Sequence, residues 1–478
     1  MADLEIDVER LDLRVHRPTI AQREAMAMAE PVREELVNKY QGKRFLLRTY
    51  GCQMNEHDTE IMAGLLQTMG YTATDVEEDA DLILFNTCAV RENAENKVFG
   101  EIGRVRPLKH RNPNLLLGVC GCMPQEKAVQ EKVQKTYPWI DLVFGTHNLH
   151  RLPELVETAM NSQETVMEVW DHAQYLVDDL PKARQDGLRA WVTIQYGCNK
   201  FCTYCIVPYT RGRERSRTLE SIVDEVRGLV EAGYQEITLL GQNVNDYGLD
   251  LGIDFATLLR AVGQVDGINR VRFTTSNPWN FTDELIAAIA ETSSVCEHIH
   301  LPVQSGSNRI LSVMNRGYSR EYYLRLVERI RAKIPDVALT TDIIVGFPSE
   351  TDDDFQATLD LVREVRYDTA YTFMYSPRTG TPAATMPNLV EEDVTKYRLQ
   401  QLMDVQNTIS RQYNEQLVGT TAQVLVEGAS KKNDAMLQGR TRSNKLVLLP
   451  REAGLIGSLV PVRIESANTW TLKGTVQR

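Results

Sequence analysis

The chain has 478 residues, of which 42% are hydrophobic and 25% charged, and a formal net charge of -12. That length exceeds what one hydrophobic core serves, so a multidomain protein with ordinary globular usage is expected. No apolar run is long enough to cross a bilayer, the start (MADLEIDVER) lacks a secretory pattern, and the acidic balance leaves only local basic surfaces for nucleic acid. A cytoplasmic monomer with no membrane contact is the resulting expectation.

Residues 1–42 read as an accessory extension with helices expected over 21–30 and 32–39. From 43 to 160, apolar runs at 45–47, 82–85, 115–119 and 142–144 alternate with helical patterns, which predicts a parallel α/β sheet domain. Residues 161–187 form a linker that ends in the polar stretch VDDLPKARQDG. Over 188–416, six strand candidates (190–195, 236–240, 271–274, 298–301, 339–345 and 370–375) predict a partial (β/α)6 barrel, closed by a long helix over 391–416. Residues 417–478 carry short β-rich runs separated by Gly and Asn, the pattern of a small antiparallel β-barrel.

The chain holds eight cysteines. In GCNKFCTYC (197–205), Cys198, Cys202 and Cys205 are separated by three and then two residues. Thiolates are the usual ligands of iron-sulfur clusters, and three of them leave one iron of a 4Fe-4S cube open. Structural zinc normally closes with four ligands, and no fourth follows at finger-like spacing. The loop follows the first barrel strand, which places it at the C-terminal mouth where barrel active sites lie. Gln242 and Asn243, Gln304, and Asp342 belong to other strand ends and are candidate cofactor contacts; the alternative is that they satisfy loop backbone groups.

Cys52, Cys88 and Cys122 each come just beyond a predicted strand of the first domain. In a parallel sheet those ends share one edge, where ligand crevices form. Cys120, within or at the end of its strand, and Cys296 read as packing thiols.

Beyond Val418 the tail has nine basic and four acidic residues, and Lys431, Arg440, Arg442 and Lys445 are candidate phosphate contacts. Arg211, Arg213, Arg215 and Arg217 alternate after the cluster loop, so an extended segment puts them on one side as candidate RNA-phosphate contacts near the barrel mouth; the alternative is that they pair with carboxylates of an acidic chain.

The spacing of the cysteine loop, with Tyr204 before its last cysteine, resembles the radical S-adenosylmethionine superfamily. That resemblance implies a 4Fe-4S cluster whose open iron chelates S-adenosylmethionine, with Tyr204 counted among the cofactor contacts. The fragments TYGCQMN, NTCAVRENAENKV, GCM, GRERSR, LLGQNVNDY, HLPVQSGS and TDIIVGFPSET resemble the methylthiotransferase family from about residue 43 onward. This implies a second 4Fe-4S cluster on Cys52, Cys88 and Cys122. GRTRSNKLV (439–447) resembles the TRAM RNA-binding domain. The branch matched by YGCQMN and YCIVPYTRGRERSR acts on N6-isopentenyladenosine 37 in the tRNA anticodon stem-loop. It uses one S-adenosylmethionine to methylate a cluster-associated sulfur and another for the radical. An electron donor such as flavodoxin or ferredoxin and a sulfur source are implied partners. Other branches act on threonylcarbamoyl-adenosine or a ribosomal-protein aspartate, and a noncatalytic iron-sulfur carrier with an RNA-binding tail is the reading from another class. Pro124, Ser349 and Asn277 depart from the family pattern, which usually has a small residue, glycine and histidine there.

Overall fold

The computed structural model describes residues 32–89, 92–172, 180–184 and 187–477, so the helix expected over 21–30 lies outside the described residues. The first domain is a six-stranded sheet of β1 (Arg44–Thr49), β2 (Thr72–Ala73), β3 (Leu82–Thr87), β4 (Leu116–Gly121), β5 (Leu142–Gly145) and β6 (Val166–Glu168). Their order is β2-β1-β3-β4-β5-β6 and every pairing is parallel. All residues of β3 and β4 are buried, because separate apolar cores cover the two faces of the sheet. β2 and β6, at two and three residues, are too short to show a period in sequence. The helix expected over 32–39 is instead a single 3-10 turn, Glu34–Leu36. Asn38 takes a left-handed φ of 55°, and the amides of Asn38 and Tyr40 donate to the carbonyls of Thr68 and Met69. Val32, Leu36 and Tyr40 thereby enter the core of the first domain.

The barrel opens with β7 (Arg189–Thr193), followed by the small antiparallel pair β8 (Gln195–Tyr196) and β9 (Arg215–Ser216). Then come β10 (Glu236–Leu240), β11 (Arg270–Phe273), β12 (His298–His300), β13 (Ala338–Val345) and β14 (Thr369–Met374). Two parallel triplets, β7-β10-β11 and β12-β13-β14, meet through a bridge between Val271 and Val295, giving a six-stranded arc in chain order. The outer helices begin at side-chain caps, with Thr218, Asp254, Thr282, Ser307, Ser319 and Thr351 each accepting from a first-turn amide. Ile343 and Val345 pack outward into the main core, so Asp342 and Ile344 face the lumen; register places Tyr371 and Phe373 beside them.

Ser349, standing where the resembled family usually has glycine, has φ 68°, a left-handed conformation that costs a side chain of order 1 kcal/mol. Its amide donates to Asn388 and its carbonyl accepts from Arg309, which hold it there. Ser349→Gly is expected to stabilise the protein by about 1 kcal/mol, read as a rise in the urea midpoint at constant slope.

The long helix Glu392–Gln416 packs along β14 and leads to a closed barrel of β15 (Thr421–Ser430), β16 (Asn433–Thr441), β17 (Leu446–Pro450), β18 (Leu459–Ala467) and β19 (Thr471–Val476). Its pairs are antiparallel except β17 with β19, which is parallel. An odd number of strands cannot alternate direction around a closed ring, so one parallel pair is a geometric necessity. No helix among the described residues is long and apolar enough to cross a membrane.

The polar segment read as a linker is stapled down where it is described. The Ala183 amide donates to the Glu60 carbonyl, and the Pro181 carbonyl lies so close to Gly64 that any side chain there would collide with it. Glu225 of the barrel helix Leu219–Glu231 receives Lys182 at 2.7 Å, Arg184 at 2.6 Å and Arg217 at 2.6 Å, while Arg184 also reaches Glu60 at 2.7 Å. One buried network therefore joins the first domain, the connector and the barrel.

Candidate active site

Cys198, Cys202 and Cys205 occupy the loop after β8, at the C-terminal mouth of the barrel. Gly197 turns the chain into this loop at φ 74°, with the carbonyls of Gly212 and Arg213 packed where a Cβ would project. The Cys198 amide donates to the Gly212 carbonyl at 3.0 Å, the Lys200 amide to Cys198 Sγ at 3.4 Å, and the Cys205 amide to the Cys202 carbonyl at 2.9 Å. Burial raises the Cys198 thiol and pushes Cys205 up to about 12, with the neighbouring sulfurs adding to both shifts. Buried thiols of this kind ionise when a metal compensates the charge. Among the described residues no three His, Cys, Asp or Glu side chains are grouped tightly enough to share a single ion. Three cysteine thiols in one short loop fit an iron-sulfur cluster, for which thiolates are the usual ligands.

The other three thiols converge as strand order dictates. Cys88 directly follows β3, Cys122 directly follows β4, and Cys52 lies just past β1, where it caps the helix Gln53–Thr68. A Cβ on Gly51 would sit 2.9 Å from that of Cys88, and the Cys122 amide donates to the Thr87 carbonyl at 2.9 Å. Burial pushes the Cys122 thiol up to about 12, Arg211 pulls it down, and Cys88 and Cys52 push it up further. Cys120 points instead into the core, 3.6 Å from Met62 Sδ. The two triads adjoin, since Ile206, the residue after Cys205, packs in one apolar cluster with Cys122 and Ala89.

The candidate cofactor contacts ring the same mouth. Asn243, after β10, is buried, and Gln242 beside it is half-buried. Gln304 takes φ 71° and pairs its backbone with Asp342 and Ile344. Asp342 lies 3.5 Å from His300 Nε2, and the His300 ring stands 5.8 Å from Tyr371. The Tyr204 hydroxyl accepts from Arg316 at 3.3 Å while its ring meets Phe347 edge-on. Two further residues at the mouth escape sequence reasoning. Gln195 and Ser276 bury an amide and a hydroxyl that have no hydrogen-bond partner. Such orphaned groups fit a mouth that receives a polar cofactor. Arg316 is a third, 3.2 Å from Cys202 Sγ.

Two of the four alternating arginines are withheld from phosphate. Arg211 is 4% exposed and paired with Asp58 at 2.7 Å beside the first-domain thiols, and Arg217 is 2% exposed within the Glu225 network. Neither is available to phosphate, because each is already neutralised by a buried carboxylate. Arg213 stacks on Phe201 and Arg215 donates to the Arg211 carbonyl, both half-buried. In the tail, Arg442 pairs with Glu297 at 2.7 Å, Lys445 with Asp368 at 2.8 Å and Arg440 with Glu427 at 3.4 Å. Arg442 and Lys445 seat the small barrel on the large one. Arg270 and Arg272 of β11 complete that seat by donating to the carbonyls of Arg440, Gln423, Arg442 and Thr441. Lys431 remains exposed, as do Lys432, Arg451, Arg463 and Lys473.

Comparison with known proteins matches three family models in succession: Uncharacterized protein family UPF0004 over residues 44–145, the Radical SAM superfamily over 192–362 and the TRAM domain over 415–476. The chain is 55% identical over 438 residues to a tRNA-2-methylthio-N(6)-dimethylallyladenosine synthase of Acetivibrio thermocellus, covering 91% of each. It is 58% identical to the enzyme of that name from Geobacillus thermodenitrificans, covering 91% of this chain and 83% of that one. The fold is similar to that of the radical S-adenosylmethionine methyltransferase TsrM from Kitasatospora setae with cobalamin and a 4Fe-4S cluster bound. That match has a TM-score of 0.53 and 16% identity, and covers 72% of this chain and 74% of the other.

Proposed function

This chain belongs to the family of tRNA-2-methylthio-N(6)-dimethylallyladenosine synthases, and from that membership we propose how its two thiol triads divide the work. It is a radical S-adenosylmethionine enzyme, a tRNA methylthiotransferase that places a methylthio group on carbon 2 of N6-isopentenyladenosine 37. Cys198, Cys202 and Cys205 hold the 4Fe-4S cluster that binds S-adenosylmethionine, and Cys52, Cys88 and Cys122 hold a second. When bound, these groups supply a 5'-deoxyadenosyl radical that takes hydrogen from carbon 2, and a sulfur, methylated by another S-adenosylmethionine, for transfer. The adjacency of the triads across Ile206 carries this reading, because radical and sulfur must reach the same carbon.

The protein's own groups position the reactants. Tyr204, Gln195, Gln242, Asn243, Ser276, Gln304 and Asp342 line the cofactor side of the mouth. Tyr371 and Phe373, 52% and 42% exposed on the lumen face of the edge strand, offer flat apolar surface to a base swung out of the single-stranded loop. Lys431 and the other exposed bases of the small barrel, with Arg213 and Arg215 at the mouth, meet the phosphates. The electron comes from a flavodoxin- or ferredoxin-like donor and the sulfur is renewed by a separate source. Nucleoside mass spectrometry of tRNA from a deletion strain tests the assignment. Methylthio-isopentenyladenosine is expected to vanish and its unthiolated precursor to accumulate; an unchanged level would overturn it.

A further inference from the structure

Arg316 is 6% exposed, deeper than most arginines are found without a carboxylate partner. It has no such partner among the described residues. It follows the helix Asn308–Val313, in a turn that clamps the cluster loop from outside. The Thr203 amide donates to the Met314 carbonyl, the Thr203 hydroxyl to Val313, and Asn315 Nδ2 to the Phe201 carbonyl. The guanidinium then spends its donors inward. Nη1 reaches Cys202 Sγ at 3.2 Å and the Tyr204 hydroxyl at 3.3 Å, Nη2 the Pro302 carbonyl at 3.0 Å, and Nε the Tyr318 hydroxyl at 2.9 Å. Every acceptor is neutral except one, the cysteine sulfur once it ligates iron.

A buried cation without a counterion is strongly unfavourable. We propose that the counterion of Arg316 is the iron-sulfur cluster itself, and that Arg316 is a positioning residue which eases the one-electron reduction of that cluster through Cys202. A cube held by three thiolates carries net negative charge, which grows by one on reduction. The electron arrives from a low-potential one-electron donor, no protein bond breaks, and the fixed guanidinium offsets the added charge. Hydrogen bonds to cluster sulfurs and nearby charge are the levers that set such potentials. Tyr318 holds the fork in place, its hydroxyl bridging the carbonyls of Pro302 and Val303.

The inference rests on Cys198, Cys202 and Cys205 holding a cluster. It is tested on full-length, anaerobically reconstituted wild type, R316K and R316Q by redox titration, following the reduced-cluster EPR component that shifts when S-adenosylmethionine is added. R316Q is expected to lower the equilibrium constant for reduction about tenfold, which is about 59 mV for a one-electron couple, while R316K retains most of the wild-type value. Equal potentials in wild type and a fully loaded R316Q would overturn the inference and leave the cluster assignment standing. A wild type that binds no iron on these thiols would overturn the assignment itself. Loss of the cluster from R316Q but not R316K supports the charge role, and loss from both alike refutes it in favour of a purely structural clamp.

Discussion

Replacing Cys52, Cys88 and Cys122 together with Ala is expected to abolish the methylthio product while leaving reductive cleavage of S-adenosylmethionine intact. The triad sits at the ends of β1, β3 and β4 and shares no thiol with the adjoining loop that carries Cys198, Cys202 and Cys205, so the barrel mouth keeps its own ligands. One cluster's complement of iron and sulfide should disappear, and 5'-deoxyadenosine should still form under reducing conditions. The reciprocal variant, Cys202→Ala, should lose cleavage and product together while retaining the first-domain iron. Iron and sulfide counts beside product analysis check both arms. A triple variant that keeps two full clusters would refute the first-domain site.

The second large effect concerns stability. Glu225 receives three cations from the connector and the barrel, and removing one partner of a buried charge network leaves the others uncompensated. Glu225→Gln is expected to cost about 3–5 kcal/mol, seen as a lower denaturant midpoint for the first domain and barrel together. Burial alone would push the Glu225 carboxyl up; Arg217 and Lys182 overcome this and hold it at about 2. A carboxyl held below its unfolded value of about 4.3 contributes stability that is complete above that pH and disappears as pH falls through about 2. The gap between wild type and Glu225→Gln should therefore narrow over that interval. A gap independent of pH there would contradict the depressed carboxyl.

The parts of the site written in local spacing were legible in the sequence, and so were those fixed by strand topology. Three cysteines in nine residues need no fold to be recognised. Cys52, Cys88 and Cys122 could be gathered because residues just past parallel strands share an edge whatever the loops do. Arginine roles were not legible, since charge alternation shows which side chains share a face and nothing about what waits opposite. The partners that claim Arg211 and Arg442 are Asp58 and Glu297, 153 and 145 residues away. Arg316 was invisible for the same reason, since Cys202 is 114 residues earlier and meets it only through a turn that clamps the loop. Short edge strands escaped because two or three residues carry no period.

The seat between the two barrels has a consequence for sequence drift. Arg270 and Arg272 hold the main-chain oxygens of Gln423, Arg440 and Thr441, and such an oxygen is present whichever residue occupies the position. Substitutions there leave these bonds in place. The outer face of the small barrel can diverge while the share of its attachment made through main-chain oxygens is inherited unaltered.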